Sequence, residues 1–192
     1  MKIGIKKISR KFLLSIFLEF FIVFLAYRIT LNNIDAEQPV IRGDGKGYYD
    51  YLPAVFIYHD LNFDFRKNAI AGYLPEQYES LNINYEGKTV NKYFCGEAIL
   101  LTPAFLVAHA NCYFYDVDAN GYTSPYQNSV LITSIIMLIL GLYFCRKLLL
   151  TYSLPLYIIF PVLIIFGFGT QLYFYTFLDP AFSHIYSFAT IS

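Results

Sequence analysis

The sequence predicts an all-α, polytopic integral membrane protein with one long outer loop that holds short amphipathic or interfacial helices. Three observations lead there. Of 192 residues, 57% are hydrophobic and 15% charged, with mean hydropathy +0.46. Soluble domains run at about 45–50% apolar and about 25% charged. Three apolar runs approach the roughly 20 residues that cross the hydrocarbon of a bilayer. Twelve of the 14 acidic residues fall between positions 31 and 126, so polar chemistry is gathered in one segment between apolar runs.

Residues 1–11 carry Lys2, Lys6, Lys7, Arg10 and Lys11 and no acid, which places the N-terminus in the cytoplasm. Residues 12–30 form the first span. Their apolar core is longer than that of a signal peptide and lacks a small-residue cleavage site, so the helix is retained. Glu19 within it is either a functional intramembrane acid or a residue that pairs with a neighbouring helix or reaches the headgroups.

Residues 31–126 form the extracytoplasmic loop. A loop this long is exported despite its positive charges, and it is too long to be a structureless connection. Short helices are expected at about 48–58 and 72–81, with turns at Asn62, Pro75 and Glu86-Gly87-Lys88. An interfacial helix is expected at about 97–113. Its apolar core, Ala98 to Ala110, contains Pro103 and is shorter than a span. Were it to cross, Arg146 and Lys147 would end up outside, against the positive-inside rule.

Residues 127–145 form the second span and 146–151 a cytoplasmic turn. Residues 152–173 return as the third span. There Pro155 sits near the start, and Pro161, Gly167 and Gly169 are breakers that membrane helices accept. Residues 174–192 are an outer turn and the start of a truncated fourth helix, so the chain reads as an N-terminal fragment.

Several classes are excluded. Three cysteines without CxxC or a His/Cys cluster argue against zinc and iron–sulfur sites. Cys95 and Cys112 share the loop and either pair in an oxidising compartment or stay free. Zero net charge, with no basic residues interleaved with aromatics, gives no nucleic-acid partner. Gly43-Asp44-Gly45-Lys46-Gly47 is not a P-loop, because no Lys-Ser/Thr follows at the required spacing.

This topology puts four polar sites on the outer side: the Asp44 turn, Lys92 with Glu97, Asp179, and Ser183-His184. Moving a sugar from a lipid phosphate requires a base for the incoming hydroxyl. It also requires a cation for the leaving phosphate, either a metal held by Asp, Glu or His or a basic side chain. Asp44 supplies the base. Lys46, Lys92 or His184 supplies phosphate contacts, and a divalent metal on Asp44, Glu97 or His184 is the alternative cation. Tyr48, Tyr49 and Tyr51 supply an aromatic wall. Each residue also has a plain structural reading. Asp44 suits a turn, Lys92 and Glu97 a surface pair, Asp179 before Pro180 a helix start, and His184 a membrane interface.

An Asp followed by Tyr-Tyr in a long outer loop after a basic-flanked first helix resembles the GT-C membrane glycosyltransferases. The likeness is to the branch of protein O-mannosyltransferases and aminoarabinose and lipopolysaccharide-core sugar transferases. Asp44 matches the acid after helix one, and Asp179 the later acid at the outer end of helix three. Asn91-Lys92-Tyr93-Phe94-Cys95-Gly96-Glu97 stands where the loop opens a membrane-lying helix, although the family's Pro-Pro is missing and Pro103 comes later. The resemblance implies a polyprenyl-phosphate-linked sugar donor, transfer on the outer face of the plasma (inner) membrane, and further helices. Asp44, Glu97 and Asp179 would be its catalytic acids. Lys46, Tyr48, Tyr49, Lys92 and His184 would be its substrate contacts. A transporter or flippase of lipid-linked saccharides, or a non-catalytic polytopic membrane protein, fits the same composition.

Overall fold

The computed structural model describes residues 39–67 and 81–192, together with 17, 20, 21 and 23–28 of the first apolar run. The basic N-terminus, Glu19, Pro75 and nearly all of the helix expected at 72–81 lie outside the described residues. Within 17–28 the described positions are helical. Val23 and Ala26 are buried in the core, while Phe17, Phe20, Phe21 and Phe24 are exposed.

The loop begins with two short helices, α1 (Asp44–Tyr49) and α2 (Tyr51–Phe56), joined at Asp50. Helix therefore starts about four residues before the expected 48–58 segment. Gly43 takes φ 52 ahead of α1, a left-handed conformation that glycine adopts without steric cost. A 3-10 turn follows at Asp64–Lys67. The strands β1 (Asn82–Tyr85) and β2 (Lys88–Asn91) then pair antiparallel, with Asn82 opposite Asn91 and Tyr85 opposite Lys88. Their two-residue loop, Glu86-Gly87, has φ 49 and φ 76, as a type I′ hairpin requires. The turn lies where the sequence places one. The strands correct the all-α expectation, and Ile83, Thr89 and Val90 are the β-branched residues that favour them.

Helix α3 (Gly96–Phe114) buries Glu97, Ala98, Leu101, Phe105, Ala108 and Cys112 on one face, at the spacing of neighbouring turns. Ile99, Leu106, Val107 and Tyr113 are exposed on the other side. Helix α4 (Ser124–Thr151) has 28 residues and is about 42 Å long. The chain is mostly helical, and α3 and α4 are long and apolar enough to cross a membrane.

The third expected span, 152–173, is divided. Helix α5 (Leu156–Phe168) has 13 residues, about 20 Å, and α6 (Leu172–Phe177) is separate. Gly169 closes α5 on the Ile165 carbonyl at 2.7 Å. The Thr170 hydroxyl donates to the Phe166 carbonyl at 2.7 Å and accepts the Leu172 amide at 3.2 Å. Such local side-chain bonds compete with helix continuation. The last helix is α7 (Ser183–Ile191).

Helix α4 is the common neighbour. Near its start, Gln127 accepts the Ile41 amide at 2.8 Å and the Tyr126 hydroxyl bonds His109 Nδ1 at 2.5 Å. Further along, the Ser134 hydroxyl donates to the Thr176 carbonyl at 2.7 Å, and Gly141 lies flat against the Phe188 ring. The loop segments join at a polar hub. Asp50 accepts Arg66 Nε at 2.5 Å and the Tyr122 hydroxyl at 2.7 Å. Arg66 also donates to Asn82 and lies over the Phe63 ring at 4.4 Å.

Candidate functional site

The glycine-rich stretch is not a loose turn. Asp44 opens helix α1, and the two glycines after it are buried packing positions. A Cβ on Gly45 would come within 2.7 Å of the Ala181 side chain and carbonyl, and one on Gly47 would enter the Tyr93 ring. Two residues apart in a helix, Gly45 and Gly47 open nearly opposite sides of α1, one to the 179–182 turn and the other to Tyr93. This close approach brings sequence-distant residues to one place.

Asp44 is exposed, and its Oδ1 accepts the Tyr93 hydroxyl at 2.5 Å. Burial, reinforced by the bond to Asp44, raises the Tyr93 phenol above its ordinary value. Tyr93 thus stays a donor and fixes one oxygen of Asp44. Tyr48, half-buried, meets the Tyr93 ring edge-on with centroids 4.7 Å apart. The exposed Lys92 ammonium lies 5.1 Å from the same ring, a cation–π arrangement. Lys46 is half-buried, and burial lowers its ammonium pKa while Asp50 partly restores it.

Other expected site residues hold different positions. Asp179 pairs with Arg42, whose Nε is 2.5 Å from Oδ1, and Arg42 also donates to the Leu178 carbonyl at 3.1 Å. A carboxylate held this way has less capacity to act as a base, so Asp179 fastens the 179–182 turn beside α1. Tyr49 is fully buried and donates to the Gly121 carbonyl at 2.6 Å. Tyr51 donates to the Tyr93 carbonyl at 2.6 Å. Tyr49 leaves the expected ligand wall because its phenol staples the core, and the Tyr51 hydroxyl is taken up by backbone. Tyr48 keeps a place beside Asp44.

Glu97 is 5% exposed, and neither carboxyl oxygen has a hydrogen-bond partner among the described residues. The surface pair with Lys92 does not form. Glu97 lies on the buried face of α3, within electrostatic reach of the Tyr186 phenol. An isolated buried carboxylate is among the costliest groups to fold around. His184 is exposed and stacks on Tyr175, with centroids 3.9 Å apart and planes at 7°.

Among the described residues, no three His, Cys, Asp or Glu side chains converge as a ligand set. Asp44, Glu97 and His184 have separate surroundings, and a joint metal site on them is not formed. Cys95, Cys112 and Cys145 are all free thiols. Sequence reasoning overlooked Arg42 and Tyr93 as site residues, although Arg42 borders the glycine-rich stretch and Tyr93 stands in the stretch 91–97. It also overlooked Phe182, whose ring lies 3.5 Å from where a Gly43 Cβ would be. No local signal pairs these residues, because the contacts join positions tens to more than a hundred residues apart. Comparison with known families, characterised proteins and solved structures returns no match for this chain.

Proposed function

We propose that this chain is the N-terminal part of a GT-C-type membrane glycosyltransferase. It moves a sugar from a polyprenyl-phosphate-linked donor to an acceptor on the outer face of the plasma membrane, with Asp44 as general base. The observation that supports this reading best is the exposed Asp44 carboxylate. One of its oxygens is fixed by Tyr93, and it stands on a helix packed against the Asp179–Phe182 turn. A base must be oriented and reachable, and of the three expected acids Asp44 alone is exposed and, among the described residues, outside an ion pair. Lys92 and Lys46 supply cations for the leaving phosphate on the same element or its neighbour.

In this reading the protein is multi-pass, with its N-terminus inside, α3 lying along the outer interface and Arg146-Lys147 cytoplasmic. A reporter fused after Lys147 is expected to report a cytoplasmic position; an external signal would mean that residues 98–110 cross the membrane and that Asp179 lies on the other side from Asp44. In the full-length protein, Asp44→Asn should abolish sugar transfer while expression stays normal. Undiminished transfer by that variant would end the assignment.

One observation favours a second reading, a transporter of lipid-linked saccharides. The apolar run after residue 152 is broken at Gly169, between α5 and α6, and broken helices mark many transporter sites. Liposomes containing the full-length protein separate the two. Translocation of lipid-linked sugar without cleavage supports the transporter, and release of the lipid phosphate supports the transferase.

A further inference from the structure

We infer that the groove between the end of α5, helix α6 and helix α7 binds the neutral, polyhydroxylated headgroup of a lipid glycoside. The groove measures about 970 Å³, within the roughly 300–1,000 Å³ of small-molecule sites. It exists because α5 stops at Gly169. A continuous helix would carry residues 170–175 along the α5 axis and leave α7 without this facing wall.

The lining selects the ligand. On one side stands the Tyr175–His184 stack, two parallel rings with centroids 3.9 Å apart that offer the groove an outer ring face and aromatic edges. Around it are Gln171, Ser183 and Ser187, whose side chains bond no other described group. Hydroxyls and amides both donate and accept, which matches sugar hydroxyls. Among the described residues the lining holds no Lys, Arg, Asp or Glu. A phosphate or carboxylate ligand would therefore enter without a counter-charge, and a metal would find one imidazole. Phe166 and Phe188 close the groove with apolar surface. Phe188 follows His184 by one turn on the same face of α7, so the polar end of the groove leads onto apolar surface suited to an alkyl chain.

Phe182 separates this groove from Asp44. Its ring centroid lies 5.5 Å from that of Tyr175 on one side, and its edge meets Gly43 on the other. Glycoside binding in the groove needs no chemistry at Asp44 and does not depend on sugar transfer.

The full-length protein in glycolipid-free phosphatidylcholine nanodiscs provides the test, with octyl glucoside, octyl phosphocholine and free glucose titrated by calorimetry. Octyl glucoside should bind saturably, about tenfold or more tighter than octyl phosphocholine, as two or more matched hydrogen bonds would require, and about tenfold or more tighter than free glucose, which has no alkyl chain to bury. Gln171→Ala should weaken it about fivefold, the value of one such bond. Ser187→Leu should abolish binding by filling the groove. Both positions are exposed, so an unchanged melting temperature is expected and confirms that each variant is folded. Asp44→Asn should retain glycoside binding whether or not transfer is lost. A photoreactive octyl glucoside should label the α6–α7 peptide. Equal binding of octyl phosphocholine or of glucose, labelling elsewhere, or indifference to both substitutions would overturn the inference.

Discussion

Removing the Arg66 side chain should unfold the segment from α1 to β2 while leaving the α4–α7 bundle in place. Asp50 and Arg66 have no exposed side-chain surface and meet at 2.5 Å. Such a pair is a weak source of net stability, yet removing one partner leaves a buried charge and costs about 3–5 kcal/mol. Arg66→Ala also loses the bond to Asn82 and the stacking on Phe63, together about another 1–2 kcal/mol. The total is a large share of the roughly 5–15 kcal/mol that holds a domain folded. Asp50 could shed its charge by taking a proton, which caps the loss near the lower figures. Hydrogen exchange is the assay. The amides of β1 and β2, which are tied to the hub through Asn82, should lose protection by two or more decades, because about 1.4 kcal/mol is tenfold. The amides of α4 near Ser134 should keep theirs. The triple variant Asp50→Leu, Arg66→Met, Tyr122→Phe removes every charged member and the phenol that would lose its acceptor. It should be less destabilised than Arg66→Ala alone. Full protection in Arg66→Ala, or a triple variant as unstable as the sum of its parts, would refute the reasoning.

Two further predictions concern the Asp44 cluster. Gly47→Ala gains up to about 1 kcal/mol in helix propensity, but its Cβ meets the Tyr93 ring and overpacking costs about 1–3 kcal/mol. The variant should melt lower and lose any Asp44-dependent activity; a higher melting temperature would show that Tyr93 moves aside freely. The Tyr93 phenol has a raised pKa through burial and the Asp44 bond. Its stabilising contribution is complete below its ordinary 10.0 and is lost as pH rises toward the raised value. Ultraviolet titration of wild type minus Tyr93→Phe should isolate one tyrosine that is still protonated where free phenols ionise. A difference spectrum titrating at about 10 would contradict the bond.

The elements legible in the sequence were those written in local pattern. The long apolar run after Ser124 and the Glu86-Gly87 turn each follow from composition or from two adjacent residues. The hairpin strands were not legible, because four-residue strands carry too little alternation to distinguish them from loop. The break at Gly169 was visible as a glycine, but Thr170 bonding both ways across it was not. At the site, Asp44 was legible as an acid flanked by glycines, whereas the purpose of the glycines was not. Gly45 and Gly47 read as part of a turn and instead mark where side chains are absent against Ala181 and Tyr93. Asp179 and Glu97 show the limit most plainly. One is held by Arg42 and the other buried without a hydrogen-bond partner among the described residues, and both fates depend on contacts beyond local sequence.

Helix α4 has a consequence that concerns phase. Its first turns are keyed to the loop through Tyr126 and Gln127, and its later turns to α6 and α7 through Ser134 and Gly141. No proline or glycine interrupts it between these two sets of contacts. One inserted residue there would rotate everything beyond it by about 100° and advance it by about 1.5 Å. Gly141 would swing away from Phe188 while Tyr126 still faced His109. The loop and the bundle therefore share a single angular setting, and the count of residues from Tyr126 to Gly141 fixes it.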